Sequence, residues 1–151
     1  MYIVQKPVGR LIEARMGSPL TAGDVDNVIQ HMRLNILSIP GRVVCVGDFT
    51  QLEELPPESM ASFTALLTRD NPRVERSGFL ISRKMSKLGL QIEQIIETAG
   101  GPHRKTFDDK DALAKWLGNV LTEEERASLK MFLSKTGAPI ATSPGAKKTI
   151  E

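Results

Sequence analysis

Residues 42–49, with the sequence Arg-Val-Val-Cys-Val-Gly-Asp-Phe, decide the fold of this chain. Within them, Val43 to Val46 form the longest apolar run of the protein. A continuous run of this length is typical of a strand that is buried on both faces, as in a parallel sheet. Pro40-Gly41 ends the helical pattern before it, and Pro56-Pro57 begins the next helix, because proline is tolerated in the first turn. The pattern predicts a central strand with helices packed around it.

The N-terminal part predicts two antiparallel strands. Tyr2-Ile3-Val4 is strand-like, and residues 10–16 follow a turn-like Pro7-Val8-Gly9 step. In residues 10–16 the apolar residues Ile12, Ala14 and Met16 alternate with Leu11, Glu13 and Arg15, the period-2 pattern of a half-buried strand.

Helical spacing of apolar residues continues through the rest of the chain. Thr21 precedes Asp24 by three residues and Thr122 precedes Glu125 by three, and both pairs predict capping boxes at helix starts. Further strands are expected at residues 76–82 and 103–107. The order β-β-α-β-α-β-α-β-α-α predicts an α/β fold with a mixed, mainly parallel sheet of four to five strands and helices packed on it. We expect one domain over residues 1–135 and a flexible tail over residues 136–151, where apolar periodicity ends.

Composition and charge exclude several classes of protein. The chain has 151 residues, of which 40% are hydrophobic and 25% charged, and its formal net charge is only +2. A nucleic-acid-binding domain usually has a larger basic excess, so no nucleic-acid partner is expected. No apolar stretch approaches the roughly 20 residues of a membrane span, although peripheral membrane contact stays open. A single cysteine, no secretory signal and no disulfide favour a cytoplasmic location.

Residues capable of catalysis are few and scattered. His31 and His103 have no further metal ligands at a recognisable spacing, so neither a metal nor another cofactor is expected. Cys45 lies among valines, where a cysteine is more often a small core residue than a nucleophile. No glycine-rich phosphate loop is present. The sequence therefore predicts a protein that is not an enzyme; a site at Asp48 and His103 is the weakest alternative.

Two charged features remain as candidates for binding. Asp48 closes the central strand, where α/β sheets form sites, although an Asx-type turn or cap at the start of the loop is the favoured interpretation. A second feature is a basic cluster that could contact anions, although ordinary solvated charge is the simpler interpretation. The cluster consists of Arg73, Arg76, Arg83, Lys84 and Lys87.

Three segments together resemble the STAS-like family, related to the bacterial anti-sigma-factor antagonists, and particularly its SpoIIAA-like branch. They are residues 17–21 (Gly-Ser-Pro-Leu-Thr), residues 43–50, and residues 105–117, where Phe-Asp precedes a helix with a Trp-Leu pair. The resemblance implies helices mainly on one face of the sheet and a regulatory, partner-binding role without catalysis. It also implies a phosphorylated residue at the start of the helix after the third strand; Ser59 is the candidate, but Pro-Pro-Glu precedes it in place of the usual Asp-Ser-Ser-Gly-type motif.

The expected partner-binding surface is the loop after the central strand and the first turn of the following helix. Its residues are Asp48, Thr50, Glu53, Glu54, Glu58 and Ser59. A helix N-terminus there suits an acidic partner group or a phosphate on Ser59. The leading expectation is a protein partner of unknown identity, with a homodimer left open. The alternative is a small-molecule or lipid-binding domain with a pocket between sheet and helices. We also expect Trp116 to be mostly buried against the sheet.

Overall fold

A computed structural model describes residues 1–101 and 103–140. The strands are β1 (Tyr2–Val4), β2 (Leu11–Gly17), β3 (Val43–Gln51), β4 (Val74–Leu80) and β5 (Arg104–Phe107). The helices are α1 (Ala22–Ser38), α2 (Met60–Asp70), α3 (Ser86–Ala99), α4 (Lys110–Gly118) and α5 (Glu123–Ser134). This is the predicted element order, and both predicted capping boxes, at Thr21 and Thr122, are formed.

The five strands lie in the sheet in the order of the sequence, β1-β2-β3-β4-β5. The β1–β2 pair is antiparallel and the other three pairs are parallel, which confirms the predicted mixed, mainly parallel α/β fold. Because every parallel crossover moves to the next strand in the same direction, right-handed connections place α1, α2 and α3 on one face. There Val28, Phe63 and Ile92 join the apolar core.

The opposite face is covered by α4 and α5. Leu113 and Leu117 of α4 and Leu129 of α5 pack there against Leu11 and Val44. The expectation of helices mainly on one face is therefore wrong. For the same reason β2 is buried along its whole length, whereas its alternating pattern predicted a half-buried strand.

The chain beyond α5 stays in contact with the domain as far as the structure describes it. The Thr136 hydroxyl donates to Asp48 at 3.1 Å, Gln51 donates to the Ala138 carbonyl at 2.5 Å, and Ile140 is buried. Residues 136–140, placed in a flexible tail by the sequence, thus contact the domain at three points, although residues 137–139 are exposed to solvent. The rest of the predicted tail, residues 141–151, lies outside the described residues.

Candidate functional site

The loop after β3 is held in place by contacts with the core, with α3 and with the loop after β2. Leu52 and Leu55 are completely buried and anchor it to the core. The Gln91 side-chain amide brackets Leu55, accepting from its backbone N–H at 2.8 Å and donating to its carbonyl at 3.0 Å. On the other side, the Glu53 N–H donates to the Ser18 hydroxyl at 3.0 Å. The polar residues between these anchors therefore project from a fixed backbone.

This loop and the loop after β2 enclose a groove of about 620 Å³, here called the acidic groove. Because β2 and β3 are parallel, both loops lie at the carboxyl edge of the sheet, where α/β proteins usually bind ligands. Its lining residues are Ser18, Pro19, Leu20, Glu53, Glu54, Pro56, Pro57 and Glu58. The acidic groove thus combines three carboxylates with an apolar surface of prolines and leucine.

The three carboxylates are not equally available. Glu53 and Glu58 are exposed, and their charges face solvent. Glu54 is half-buried and forms an ion pair with the ammonium group of Lys87. Because neither Glu53 nor Glu58 forms an ion pair within the described residues, the local charge of the groove is negative.

Asp48 and Thr50 do not belong to this groove. Successive residues of a strand point to opposite faces, and Asp48 points toward α5 while Phe49 points toward α2. Asp48 is only 1% exposed and pairs with Arg15 at 3.1 Å. It also accepts from the backbone N–H and the hydroxyl of Thr50, at 3.0 and 2.7 Å. Asp48 therefore combines the predicted Asx-type turn with a buried ion pair, and Thr50 is its partner.

Ser59 is also separated from the predicted surface. It lies at the junction of a short 3₁₀ turn, Pro57–Ser59, with α2, and is 2% exposed. Its hydroxyl does not cap α2, and it has no hydrogen-bond partner within the described residues. A kinase could not reach this hydroxyl in the observed conformation, so the geometry gives no support for phosphorylation of Ser59.

The predicted basic cluster is divided between the two ends of the sheet. Arg73 and Arg76 lie at the amino end of β4, whereas Arg83, Lys84 and Lys87 follow its carboxyl end. Arg83 pairs with Asp108 at 2.5 Å. The five cations therefore form no continuous anion-binding patch.

Trp116 is partly buried and packs against the core cluster on the α4–α5 face, in keeping with the expectation of a mostly buried side chain. One part of it packs against Phe107, with ring centroids 5.6 Å apart. Arg76 and Lys105 lie over the ring at 4.9 and 5.1 Å. Trp116 thus packs against the core on one side and is covered by cations of β4 and β5 on the other.

A buried polar cluster on the α5 side was missed by the sequence argument. Arg15 donates to the carbonyls of Phe132 and Lys135 at the end of α5, at 2.6 and 3.2 Å, and its guanidinium lies 4.1 Å from the centroid of the Phe132 ring. Glu13, 5% exposed, is within 3.3 Å of the Ser128 hydroxyl. Burial raises the pKa of Glu13 to about 7, although Ser128 and Arg15 act in the opposite direction. The alternation of β2 places Glu13 and Arg15 on one face, but only the return of α5 buries them.

The candidate catalytic residues are far apart or inert. Burial raises the pKa of the Cys45 thiol to about 12, so it stays protonated and acts as a core residue. His103 directly precedes β5 at the amino end of the parallel strands, and Asp48 lies toward the carboxyl end of β3. The structure therefore does not bring Asp48 and His103 together.

Comparisons with protein-family models, curated proteins and solved structures found no match for this chain. Across residues 1–101 and 103–140, no helix combines the length and the apolarity needed to cross a membrane.

Proposed function

We propose that this protein is a non-catalytic interaction module that binds a basic segment of a protein partner in the acidic groove. The observation that carries the proposal is the pair of exposed carboxylates, Glu53 and Glu58, presented beside apolar residues at the carboxyl edge of the sheet. Complementary charge accelerates and orients association, and apolar contact supplies affinity. The expected acidic or phosphorylated group is replaced here by a basic one, because the three glutamates would repel an anion.

The fixed backbone of the groove supports this role. Its loop is anchored by Leu52, Leu55 and the Gln91 amide, and is joined to the loop after β2 through Ser18. A surface that is already ordered loses little conformational entropy when a partner binds. The groove is therefore suited to bind a flexible peptide segment on a surface that is already formed, without folding around the peptide.

A regulatory role of the STAS-like type remains part of the proposal. The resemblance implies partner contact at the start of the helix after the third strand, and Glu58 lies in that turn. The burial of Ser59 favours constitutive contact over a phosphorylation switch at this residue. The unpaired Cys45 thiol is compatible with a reducing, cytoplasmic compartment.

The alternative, a lipid or small molecule between sheet and helices, finds little room beneath α1 and α2. The apolar cavity there has a volume of about 40 Å³. Ligand pockets usually measure about 300–1,000 Å³. The observed conformation therefore favours surface contact over a ligand enclosed on this face.

A basic peptide probe tests the proposal. The peptide Ac-Lys-Leu-Pro-Lys-Leu-Pro-Lys-NH2, titrated into the protein with NMR detection, should shift amide resonances around the acidic groove. The variant Glu53→Lys should weaken binding at least about three-fold, since a repulsive contact replaces an attractive one. Glu124→Lys, an equal charge change at an exposed position of α5, is the matched control. Equal weakening by both variants, or shifts confined to another surface, would contradict the proposal.

A further inference from the structure

A second concave site lies on the other side of the molecule, between the β1–β2 hairpin and α5. It is a cleft of about 460 Å³, here called the α5 cleft. Its apolar wall includes Ile3, Phe132 and Ile140, and its polar wall includes Glu13, Arg15 and Ser128. A concave, largely apolar site with a few convergent polar groups is the usual form of a small-molecule site.

Glu13 is a buried carboxyl group of the α5 cleft whose hydrogen bonding is incomplete. An ionised carboxylate has about four acceptor positions. The Ser128 hydroxyl, which carries a single proton, lies 3.3 Å from each of the two Glu13 oxygens. Glu13 is 95% buried, so water molecules can reach its free acceptor positions only through the cleft. The carboxylate therefore has acceptor capacity for a ligand inside the cleft.

The charges around Glu13 restrict the kind of ligand that fits. Arg15, its neighbour on β2, is neutralised by Asp48 of β3 at 3.1 Å and is further occupied by two carbonyls of α5. Lys6 after β1 and Lys135 at the end of α5 also line the cleft. These lysines repel every cation, and they repel a ligand with several positive charges more strongly than one whose single ammonium group contacts Glu13.

We propose that the α5 cleft binds a small primary amine with an apolar body, whose ammonium group donates to the Glu13 carboxylate while its apolar part packs against Phe132 and Ile140. The site is independent of the acidic groove, because it shares no lining residue with it. Charge-assisted hydrogen bonds of this kind are stronger than neutral ones, particularly in a partly dry site.

Binding of such an amine is coupled to the ionisation of Glu13. The pKa of about 7 means that the carboxyl group is mostly neutral at pH 5.5 and mostly charged at pH 8.5. An ammonium ligand binds the charged form, so its affinity should rise about 30-fold between these two pH values. By the same linkage, bound amine should lower the pKa of Glu13.

Three probes with the same ring and different head groups test the proposal: phenethylamine, 2-phenylethanol and 3-phenylpropionate. At pH 8.5 we expect phenethylamine to bind with a dissociation constant of roughly a millimolar and to shift the amides of Ser128 and Phe132. The alcohol and the carboxylate should bind at least about ten-fold more weakly. Glu13→Gln should remove the preference for the amine, and Glu124→Gln, on an exposed part of the same helix, should retain it.

A titration of the wild-type protein keeps the test independent of any variant. Carboxyl ¹³C NMR should show the Glu13 midpoint falling when phenethylamine saturates the cleft. An unchanged midpoint, equal binding of the alcohol, or tighter binding of 3-phenylpropionate would overturn the proposal; the last result would assign the cleft to anions held by Lys6 and Lys135. Absence of phenethylamine binding at 10 mM would also overturn it, without affecting the acidic groove.

Discussion

The Asp48 carboxylate and the Arg15 guanidinium lie 3.1 Å apart between β2, β3 and α5, and both side chains are at least 92% buried. Arg15 also binds two carbonyls at the end of α5, and Asp48 binds Thr136 just beyond it. The pair therefore joins the last helix to the sheet. The pair stabilises the fold; its Arg15 also lines the α5 cleft, whereas neither residue lines the acidic groove.

Removing the charge of Asp48 should strongly destabilise the protein. Asp48→Asn keeps the size of the side chain but leaves the buried Arg15 charge uncompensated, so the free energy of unfolding should fall by about 3–5 kcal/mol. Urea denaturation measures this difference. Asp108→Asn, which breaks the exposed pair with Arg83, is the matched control and should leave stability unchanged. A wild-type midpoint for Asp48→Asn would show that the pair adds nothing to the attachment of α5.

Glu13 should make stability depend on pH in a defined direction. Its pKa in the folded protein is about 7, above the ordinary value of 4.5, so the folded state holds this proton more tightly than the unfolded state does. The stabilisation is fully present below pH 4.5 and is lost as the pH rises through 7. Between pH 5 and pH 8, the wild type should lose about 1–3 kcal/mol relative to Glu13→Gln. Parallel stability curves for the two proteins would contradict the raised pKa.

The burial of Ile140 predicts a measurable role for residues 136–140. A chain ending at Lys135 lacks the Thr136–Asp48 hydrogen bond and the apolar contact of Ile140 with Gly17. Compared with a chain ending at Ile140, it should be less stable by about 2–4 kcal/mol. Thermal and urea denaturation of the two chains provide the measurement. Equal stability would contradict this expectation and support the domain boundary after residue 135 that the sequence predicts.

Much of the fold could be predicted because its determinants are local. Capping residues such as Thr21 and Thr122 mark helix starts, and the apolar run Val43–Val46 marks a strand covered on both faces. The site is less predictable because its determinants are distant in sequence. Glu13 and Ser128 are 115 residues apart, and nothing near Glu13 shows that α5 returns to cover it.

For a related reason, the residues predicted to form one partner-binding surface lie in two different places. Glu53, Glu54 and Glu58 follow the end of β3 and share one groove. Asp48 and Thr50 are still within the strand, where side-chain direction alternates and points them to the α5 side. A sequence pattern locates the last residue of a strand poorly. Here the end of β3 separates the surface residues from the buried ones.

Removal of the ion pair between Lys87 and Glu54 should strengthen peptide binding, whereas charge reversal should weaken it. Lys87→Gln releases Glu54 and makes the acidic groove more negative. Affinity for the Lys-Leu-Pro peptide should therefore rise about two- to five-fold. Lys84→Gln removes the same charge from the neighbouring loop and should have a smaller effect. If both variants strengthened binding equally, net charge rather than the groove would determine binding.

Site-specific photocrosslinking tests the partner-binding role most directly. A benzophenone amino acid replaces Pro57, an exposed and uncharged residue of the acidic groove, or, as the control, Glu124 on α5, and the protein is irradiated in lysate of its native host. We predict a discrete adduct from position 57 that is absent from position 124, with the crosslink mapping to a basic segment of the partner. Adding Glu53→Lys should abolish that adduct. No adduct at position 57, or one that persists with Glu53→Lys and maps to an acidic segment, would contradict the assignment of the acidic groove as the partner-binding surface.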